Sequence, residues 1–272
     1  MIAKFSVPAL FSAIFMSLPG LAWSWGPEGH AATGILAMEL TDAVATKELA
    51  SILGSTANSR IDEMCNWPDA MKDLSEWDWA SPQHYVNIPR YAEYYDAERD
   101  CREGLCVTEA IKKYANQLGD GHLPREKRAE AFGWLCHLVG DLHQPLHCGF
   151  RDDRGGNTVD VIFLGREMNL HEYWDRQLIL ERSATLDGLL ANLGALTADN
   201  LNSEWIPGVV DDWTWESHQL ALARSYPDTT EISPAFADES WVLITRQIPL
   251  AALRLAEILN ATLGEGEVVL EP

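Results

Sequence analysis

The sequence predicts one mainly α-helical domain, and three observations support this prediction. Apolar residues recur at helical spacing through most of the chain after residue 25. Only Thr158 to Leu164 has the β-branched and aromatic character of a strand, so we expect at most a small β-hairpin near residues 158–168. No repeat or linker divides the 272 residues, of which 47% are hydrophobic, enough for one packed core.

Six segments are predicted to be helices because their apolar residues share one helical face. Clusters of Gly, Pro, Asn and Asp separate these segments, as at Asp120-Gly121 and in the stretch RGGN. The predicted helices are Gly29–Leu53, Val107–Leu118, Glu126–Leu146, Glu172–Leu193, Trp213–Arg224 and Ser240–Leu263.

The first 24 residues predict a secretory signal peptide. Lys4 provides a basic start, residues 5–18 are mostly apolar, and Ala22 and Ser24 are small residues of the kind found at cleavage sites. The apolar run is shorter than the ~20 residues that a membrane-spanning helix needs. We therefore expect an exported domain from residue 25 to residue 272, without membrane insertion; a cut after Ala22 is also compatible with this pattern.

The charge of the chain argues against one class of partner. The formal net charge is −21, whereas proteins that bind nucleic acid normally carry a basic surface. Composition alone therefore disfavours nucleic acid, although bound divalent cations can make a local patch positive.

The five cysteines predict disulfide chemistry rather than a zinc ribbon, because none has the paired spacing of such a site. Cys101 and Cys106 flank the polar loop CREGLC and are the pair expected to bond. Cys65, Cys136 and Cys148 leave an odd number, so at least one buried free thiol is expected.

The stretch HLVGDLHQPLH, residues 137–147, holds three of the eight histidines and an aspartate. On a helix, His137 and Asp141 lie on one side, and His147 falls on the neighbouring face. Pro145 cannot donate to the carbonyl of Asp141, which predicts a kink. This arrangement favours a metal site; the alternative is a set of core histidines that hydrogen-bond to Asp141.

Further residues of the same ligand types occur along the chain. His171 and Asp175 are four apart in NLHEYWD, Asp69 lies in NWPDAMK, His84 in SPQHYVN, and His30 closes WGPEGH. Such histidine- and carboxylate-rich sets are typical of hydrolytic zinc sites. If Trp25 is the first residue of the mature chain, its amine and carbonyl could join His30 at a metal; otherwise Trp25 simply packs in the core.

The motifs WGPEGH, NWPD, QHYVN, HLVGDLHQPLH, GGN and NLHEYWD, in this order and spacing, closely resemble the S-one/P-one nuclease family. The resemblance covers residues 25–175 in motifs and the remainder in helical pattern. It implies a single helical domain of the phospholipase C / P-one nuclease type and a signal-peptide cut before Trp25. It also implies a secreted or periplasmic enzyme with three zinc ions.

The resemblance implies which residues bind the three Zn²⁺ ions. The implied ligands are Asp69, His84, His137 and Asp141 for the first ion; His147, His171 and Asp175 for the second; and the Trp25 amine and carbonyl with His30 for the third, with Asp141 as a bridge between the first and third ions.

The implied activity is that of an endonuclease that hydrolyses single-stranded DNA and RNA to 5′-phosphorylated products, with 3′-nucleotidase activity. A hydroxide held between zinc ions would be the nucleophile. Asp69, Lys72 and Asp141 would be the catalytic residues. Lys72 stands where the family typically has arginine near the phosphate, and it supplies charge without a bidentate fork. Nucleotides would also be substrates, and a monomer is expected.

Four other residues receive roles from the resemblance. Tyr85 would stack on a base, or else pack in the core, and Asn87 stands where an aspartate often contacts the base edge. His143 would lie behind the metal ligands and orient a carboxylate. Asn157 would hold the loop beside the site, although a plain turn explains it almost as well.

Two other functions stay open at this point. A zinc phospholipase C is disfavoured by the short Trp25-to-His30 spacing, by aspartate rather than glutamate at Asp175, and by the acidic surface. A non-catalytic periplasmic zinc-binding protein would give no reason for Lys72 or for an aromatic residue beside His84.

Overall fold

Helices make up most of the computed structural model, which describes residues 25–54, 60–71, 74–193 and 209–264. The predicted mainly α fold with one small hairpin is confirmed. The predicted signal peptide and Lys72 lie outside the described residues. In the described part of the chain, no helix is long and apolar enough to cross a lipid bilayer.

The described α-helices are numbered in chain order. They are α1 (Gly26–Leu40), α2 (Ala43–Leu53), α3 (Ile61–Met71), α4 (Ala97–Asp100), α5 (Val107–Gly119), α6 (Arg125–Leu142), α7 (Leu170–Glu172), α8 (Leu178–Ser183), α9 (Leu186–Leu193), α10 (Val210–Arg224) and α11 (Pro234–Leu263). Shorter 3-10 segments occupy Ser75–His84, Arg102–Gly104 and Pro145–Cys148, and a π-helical segment occupies Tyr173–Gln177.

Three predicted helices are wrong in their extent. The segment Gly29–Leu53 is two helices, because the Asp42 side chain accepts from the backbone N–H groups of Val44 and Ala45 and starts α2 there. The segment Glu172–Leu193 is interrupted where Ala184 adopts a left-handed conformation. The predictions near Val107, Trp213 and Ser240 match helices that the structure contains.

The third error concerns the histidine-rich stretch. Helix α6 ends at Leu142 rather than continuing with a kink to Leu146. Pro145 begins a separate 3-10 turn, which the Gln144 side chain caps by accepting from the Leu146 N–H. His147 therefore reaches the site from this turn and not from the helix that carries His137.

The predicted hairpin is present as strands β1 (Asp160–Phe163) and β2 (Arg166–Asn169), which pair antiparallel. The β2 strand leads directly into α7, and Asn169 caps that helix by accepting from the Glu172 N–H. The hairpin thus delivers His171 to the site.

Helix α1 packs against α3, α6 and α11, and small residues allow this close approach. Gly34 is the clearest case: a Cβ at this position would lie 2.4 Å from the Cys65 sulfur and 3.1 Å from the Cys136 sulfur. Only glycine therefore leaves room for the disulfide that joins α3 to α6.

Two disulfides are present among the described residues. The predicted bond between Cys101 and Cys106 is confirmed, and Cys65 bonds to Cys136. Cys148 is buried and free, which confirms the expected unpaired thiol.

The two disulfides should differ in their contribution to stability. Cys65 and Cys136 are 71 residues apart, and Cys101 and Cys106 are 5 apart. Because a longer closed loop constrains the unfolded chain more, replacing the first pair by alanine should lower the free energy of unfolding by about 4 kcal/mol and replacing the second by about 2 kcal/mol. Urea unfolding at constant zinc concentration measures both losses, with Cys148→Ala as the unbonded control. A larger loss for the Cys101–Cys106 pair would contradict this account.

Candidate metal centre

The Asp141 carboxylate is completely buried and surrounded by imidazoles. One oxygen, Oδ2, lies 2.9 Å from His84 Nδ1 and 3.4 Å from His137 Nε2. The other, Oδ1, lies 3.4 Å from His30 Nε2 and 3.9 Å from His147 Nδ1. A single carboxylate therefore touches four of the five histidines that were predicted as ligands.

The described residues form three groups whose ligand atoms lie within 4.8 Å of one another. Nine residues were predicted as metal ligands, and eight of them belong to these groups through their side chains. The ninth, Trp25, was predicted to bind through its backbone amine and carbonyl. The groups are His30, His137 and Asp141; Asp69, His84 and His137; and His147, His171 and Asp175.

The first two groups share His137, so they adjoin. His137 Nε2 is 3.1 Å from His84 Nδ1 and 3.7 Å from an Asp69 oxygen, and its ring stacks on that of His30 at 3.9 Å. Helix α3 supplies Asp69, α6 supplies His137, and α1 supplies His30. The three helices that pack most closely around the disulfide thus converge on this part of the centre.

The third group depends on the widened helix after the hairpin. His171 Nε2 lies 3.3 Å from Asp175 Oδ2, and His147 Nε2 lies 3.6 Å from Asp175 Oδ1. The π-helical segment Tyr173–Gln177 includes Asp175. Segments of this kind occur frequently at functional sites, because one inserted residue changes the direction of the side chains.

Backbone carbonyls orient three of the imidazoles by accepting a hydrogen bond from Nδ1. His137 Nδ1 donates to the Cys65 carbonyl, His147 Nδ1 to the His84 carbonyl and His171 Nδ1 to the Gly155 carbonyl, at 2.6–2.9 Å. In each case the proton belongs on Nδ1, which leaves the Nε2 lone pair available to a metal. Metal-binding histidines are usually oriented in this way.

Electrostatics explain why the centre is suited to cations. Burial would raise the pKa of Asp141, but His137, His147 and His84 outweigh that effect and lower it, so the carboxylate is ionised. Burial and the neighbouring His137 lower the pKa of His30 well below its usual value. Burial also lowers the pKa of His147, yet Asp141 and Asp175 together raise it to about 9. Buried carboxylates thus favour a cation at the centre, and His147 would have to release its extra proton to bind a metal through Nε2.

Several inward atoms have no hydrogen-bond partner, although they are buried. Among the described residues these include Nε2 of His30 and of His147, Oδ1 of Asp141 and Oδ2 of Asp175. A buried polar atom without a partner is costly, and a buried carboxylate more so, unless a cation satisfies it. The donor set consists of nitrogen and oxygen without a thiolate, which suits zinc. The residues therefore fit metal ions on grounds of chemistry and burial.

The Trp25 ring is fully buried, so it does pack in the core, as one alternative predicted. Its backbone starts α1, and its carbonyl accepts from the Gly29 N–H. The same helix carries His30 into the centre one turn later. Core packing of the ring is compatible with a metal-binding role for the backbone, since different atoms serve each purpose.

Three supporting residues were not recognised from the sequence. A Cβ on Gly140 would lie 2.8 Å from His30 Nδ1, so only glycine lets α6 approach His30. Gln144 is fully buried and donates from Nε2 to Asp175 Oδ1 at 2.5 Å. Gly155 has φ +64 and presents its carbonyl to His171. Gly140 and Gln144 lie inside HLVGDLHQPLH. A glycine and an amide side chain among the predicted ligands are the sequence signals that point to these two supporting residues.

Asn157 donates from Nδ2 to the Arg154 carbonyl, so the plain-turn alternative describes its contact. The loop is held instead by Asp153, which accepts from the Gly156 N–H and from the Tyr226 hydroxyl and pairs with Arg90. This network keeps Gly155 in place behind His171.

The role predicted for His143, orienting a carboxylate, is wrong. Its Nδ1 donates to the Val139 carbonyl, and its Nε2 accepts from Arg254 at 2.9 Å. Arg254 in turn pairs with Glu216. Because α6 ends before His143, the side chain points towards α11 and ties that long helix to the centre from behind.

Tyr85 and Asn87 line a cleft of about 500 Å³ next to His84. The Tyr85 side chain is 38% exposed, which argues against the core-packing alternative. Backbone pairing explains its position: Val86 donates to the His147 carbonyl and Ile88 to the Gly149 carbonyl. This pairing lays residues 84–88 along the turn that carries His147, beside the metal centre.

The comparison with known proteins agrees with this geometry. Residues 25–264 match the family described as S1/P1 Nuclease. The chain belongs to the S1/P1 nuclease family. Membership identifies it as a nuclease, a hydrolase of nucleic acids, and confirms the resemblance inferred from the motifs.

Curated relatives cover most of the chain. Endonuclease 5 of Arabidopsis thaliana is 39% identical over 75% of this chain and 73% of its own length. Endonuclease 4 of the same plant is 36% identical over 73% of this chain and 69% of its own length. Nuclease P1 of Penicillium citrinum is 29% identical over 88% of this chain and 98% of its own length.

The Gly140 contact predicts a specific effect on metal binding. The methyl group in Gly140→Ala would displace His30, so we expect the variant to fold but to bind zinc ~10-fold more weakly or worse in the group that contains His30. Zinc content after dialysis against graded chelator measures this. Gly121→Ala is the control, because a Cβ there meets no atom within 4 Å. Equal zinc retention in both variants would contradict the steric argument.

The hydrogen bond from Gln144 to Asp175 predicts an effect on metal binding by the group that contains Asp175. Gln144→Ala removes the N–H that holds Asp175, and loss of such a partner typically weakens metal affinity by about 10- to 100-fold. The same zinc titration should show weakened binding at one class of site, with thermal unfolding to verify the fold. Gln117→Ala, on α5, serves as the control. Unchanged affinity in Gln144→Ala would mean that Asp175 needs no such support.

Proposed function

We propose that the mature chain is an exported zinc-dependent endonuclease that cleaves single-stranded DNA and RNA to 5′-phosphorylated products and also acts on 3′-nucleotides. The observation that carries this proposal is the Asp141 carboxylate, buried among four imidazoles and adjoining three groups of ligand-type side chains. Family membership supports the reaction class, and the unsatisfied buried atoms support the metal.

The ligands that we propose for three zinc ions are those that the resemblance implied. Asp69, His84, His137 and Asp141 would hold one ion, and His147, His171 and Asp175 a second. The third would take His30 and the amine and carbonyl of Trp25, once residues 1–24 are removed. Zinc would supply electrostatic stabilisation of the phosphate and lower the pKa of bound water to about 7.

The protein residues have separate tasks in this proposal. Asp141 keeps neighbouring ligand groups together, and Asp69 completes the group next to the solvent-facing His84. Tyr85 would stack on the base of the nucleotide, which its exposure allows, and Asn87 would offer a donor and an acceptor to the base edge. Lys72 would place a positive charge near the phosphate.

Export to the periplasm or the medium is part of the proposal. Two disulfides form in the described residues, and such bonds persist in oxidising compartments. The mature protein would act there as a monomer on nucleic acids and nucleotides. We propose no membrane insertion after the signal peptide is removed.

The test is release of acid-soluble nucleotides from heat-denatured DNA. We expect activity that is lost on chelation and restored by zinc. Asp141→Asn should reduce the rate at least ~100-fold, since it weakens the carboxylate that adjoins the ligand groups. Bound zinc and thermal unfolding are measured in parallel, to separate loss of metal from loss of fold. A folded, zinc-loaded protein that releases no nucleotides would overturn the proposed nuclease activity. A nearly normal rate in Asp141→Asn would overturn the proposed role of Asp141.

A further inference from the structure

A cluster of aromatic side chains extends from the metal centre to the protein surface. Trp134 is fully buried, and its ring centroid lies 5.7 Å from that of His84. Trp134 also contacts the rings of Trp67, Trp77 and Trp79 at 5.8–6.3 Å. Trp77 and Trp79 lie 5.6 Å apart with a tilt of 31°. One ring therefore separates a proposed metal ligand from a surface tryptophan.

Trp79 is the exposed end of this cluster. Its side chain is 49% exposed, whereas tryptophan usually buries most of its large surface. It belongs to the 3-10 segment Ser75–His84, the last residue of which is His84. The indole is held by its neighbours Trp77 and Trp134 but leaves one part open to solvent, which is the arrangement of a preformed stacking surface.

The surroundings of Trp79 carry charges of both signs. Lys113 Nζ lies 5.6 Å from the Trp79 ring and 4.8 Å from the Tyr114 ring. Asp78 and Glu76, one and three residues before Trp79, are exposed. These carboxylates would repel a phosphate chain that lay flat on the segment. A ligand suited to this surface must therefore offer a flat, uncharged face to the indole and direct its negative charge towards Lys113.

We propose that Trp79, supported by Trp77 and Trp134 and flanked by Lys113, is a stacking subsite for a base of a single-stranded nucleic acid, separate from the position at Tyr85. The inference rests on the proposed nuclease function. An unpaired base has the required flat face, and its phosphate can reach Lys113. Bases in a duplex are covered by their neighbours, so this surface favours single strands. Stacking on an aromatic side chain tolerates any base.

The proposal predicts that Trp79 matters more for long substrates than for short ones. The ratio of the KM for the dinucleotide dTpdT to the KM for dT10 should fall about tenfold in Trp79→Ala, because only the longer strand reaches both subsites. Trp79→Tyr should restore most of the ratio. Leu222→Ala, which removes an exposed apolar side chain on α10, should not change it. An unchanged ratio in Trp79→Ala would overturn the proposal.

A binding measurement separates this proposal from that of the nuclease function. Zinc-loaded protein is titrated into labelled phosphorothioate dT10, and fluorescence anisotropy gives the Kd. We expect about tenfold weaker binding in Trp79→Ala, and a salt dependence reduced by about 0.7 in slope in Lys113→Gln. Binding of this strand that depends on Trp79, in a protein that does not cleave single-stranded DNA, would overturn the nuclease proposal but support the subsite. Cleavage with binding that is independent of Trp79 would sink the subsite alone, and thermal unfolding verifies that each variant is folded.

Discussion

The fold is organised around one buried anion, the carboxylate of Asp141. A buried charged group destabilises the fold unless groups of opposite charge or strong hydrogen-bond donors surround it. Here four imidazoles approach the two carboxylate oxygens from four different segments of the chain. The helices that carry these imidazoles must meet at one point, and their packing follows from that requirement. Metal ions bound at the proposed sites would therefore couple metal binding to folding.

The supporting contacts are arranged around the same point. The disulfide between Cys65 and Cys136 joins α3 to α6, and the Cys65 carbonyl also accepts a hydrogen bond from His137 Nδ1. Gln144 caps the turn before His147 and at the same time holds Asp175. A single residue thus sets both the backbone of one ligand and the side chain of another.

The chain carries a strong negative charge although it belongs to a family of nucleases, whose substrates are also anionic. The net charge of −21 would repel nucleic acid at long range. The buried carboxylates contribute to that charge, but metal ions would neutralise them locally and reverse the sign at the centre. The aromatic surfaces proposed at Tyr85 and Trp79 would interact with bases rather than phosphates. Stacking would therefore complement metal contacts where general electrostatic attraction is lacking.

The sequence alone determined the fold class, the family and the ligand-type residues. Helical periodicity is local, and the motifs with His137, Asp141, His171 and Asp175 keep a spacing that any helix converts into a shared face. The loop between Cys101 and Cys106 is so short that its disulfide could also be read from the sequence. These features depend on neighbours in the chain, which is why the sequence was sufficient for them.

Only the tertiary structure decided which groups meet across long separations. The end of α6 at Leu142, the turn that carries His147 and the orientation of His143 towards Arg254 depend on caps and partners far along the chain. The need for glycine at position 140 comes from His30, which is 110 residues away in sequence but in direct contact in space. No local pattern specifies such a contact, because it arises from the packing of whole helices.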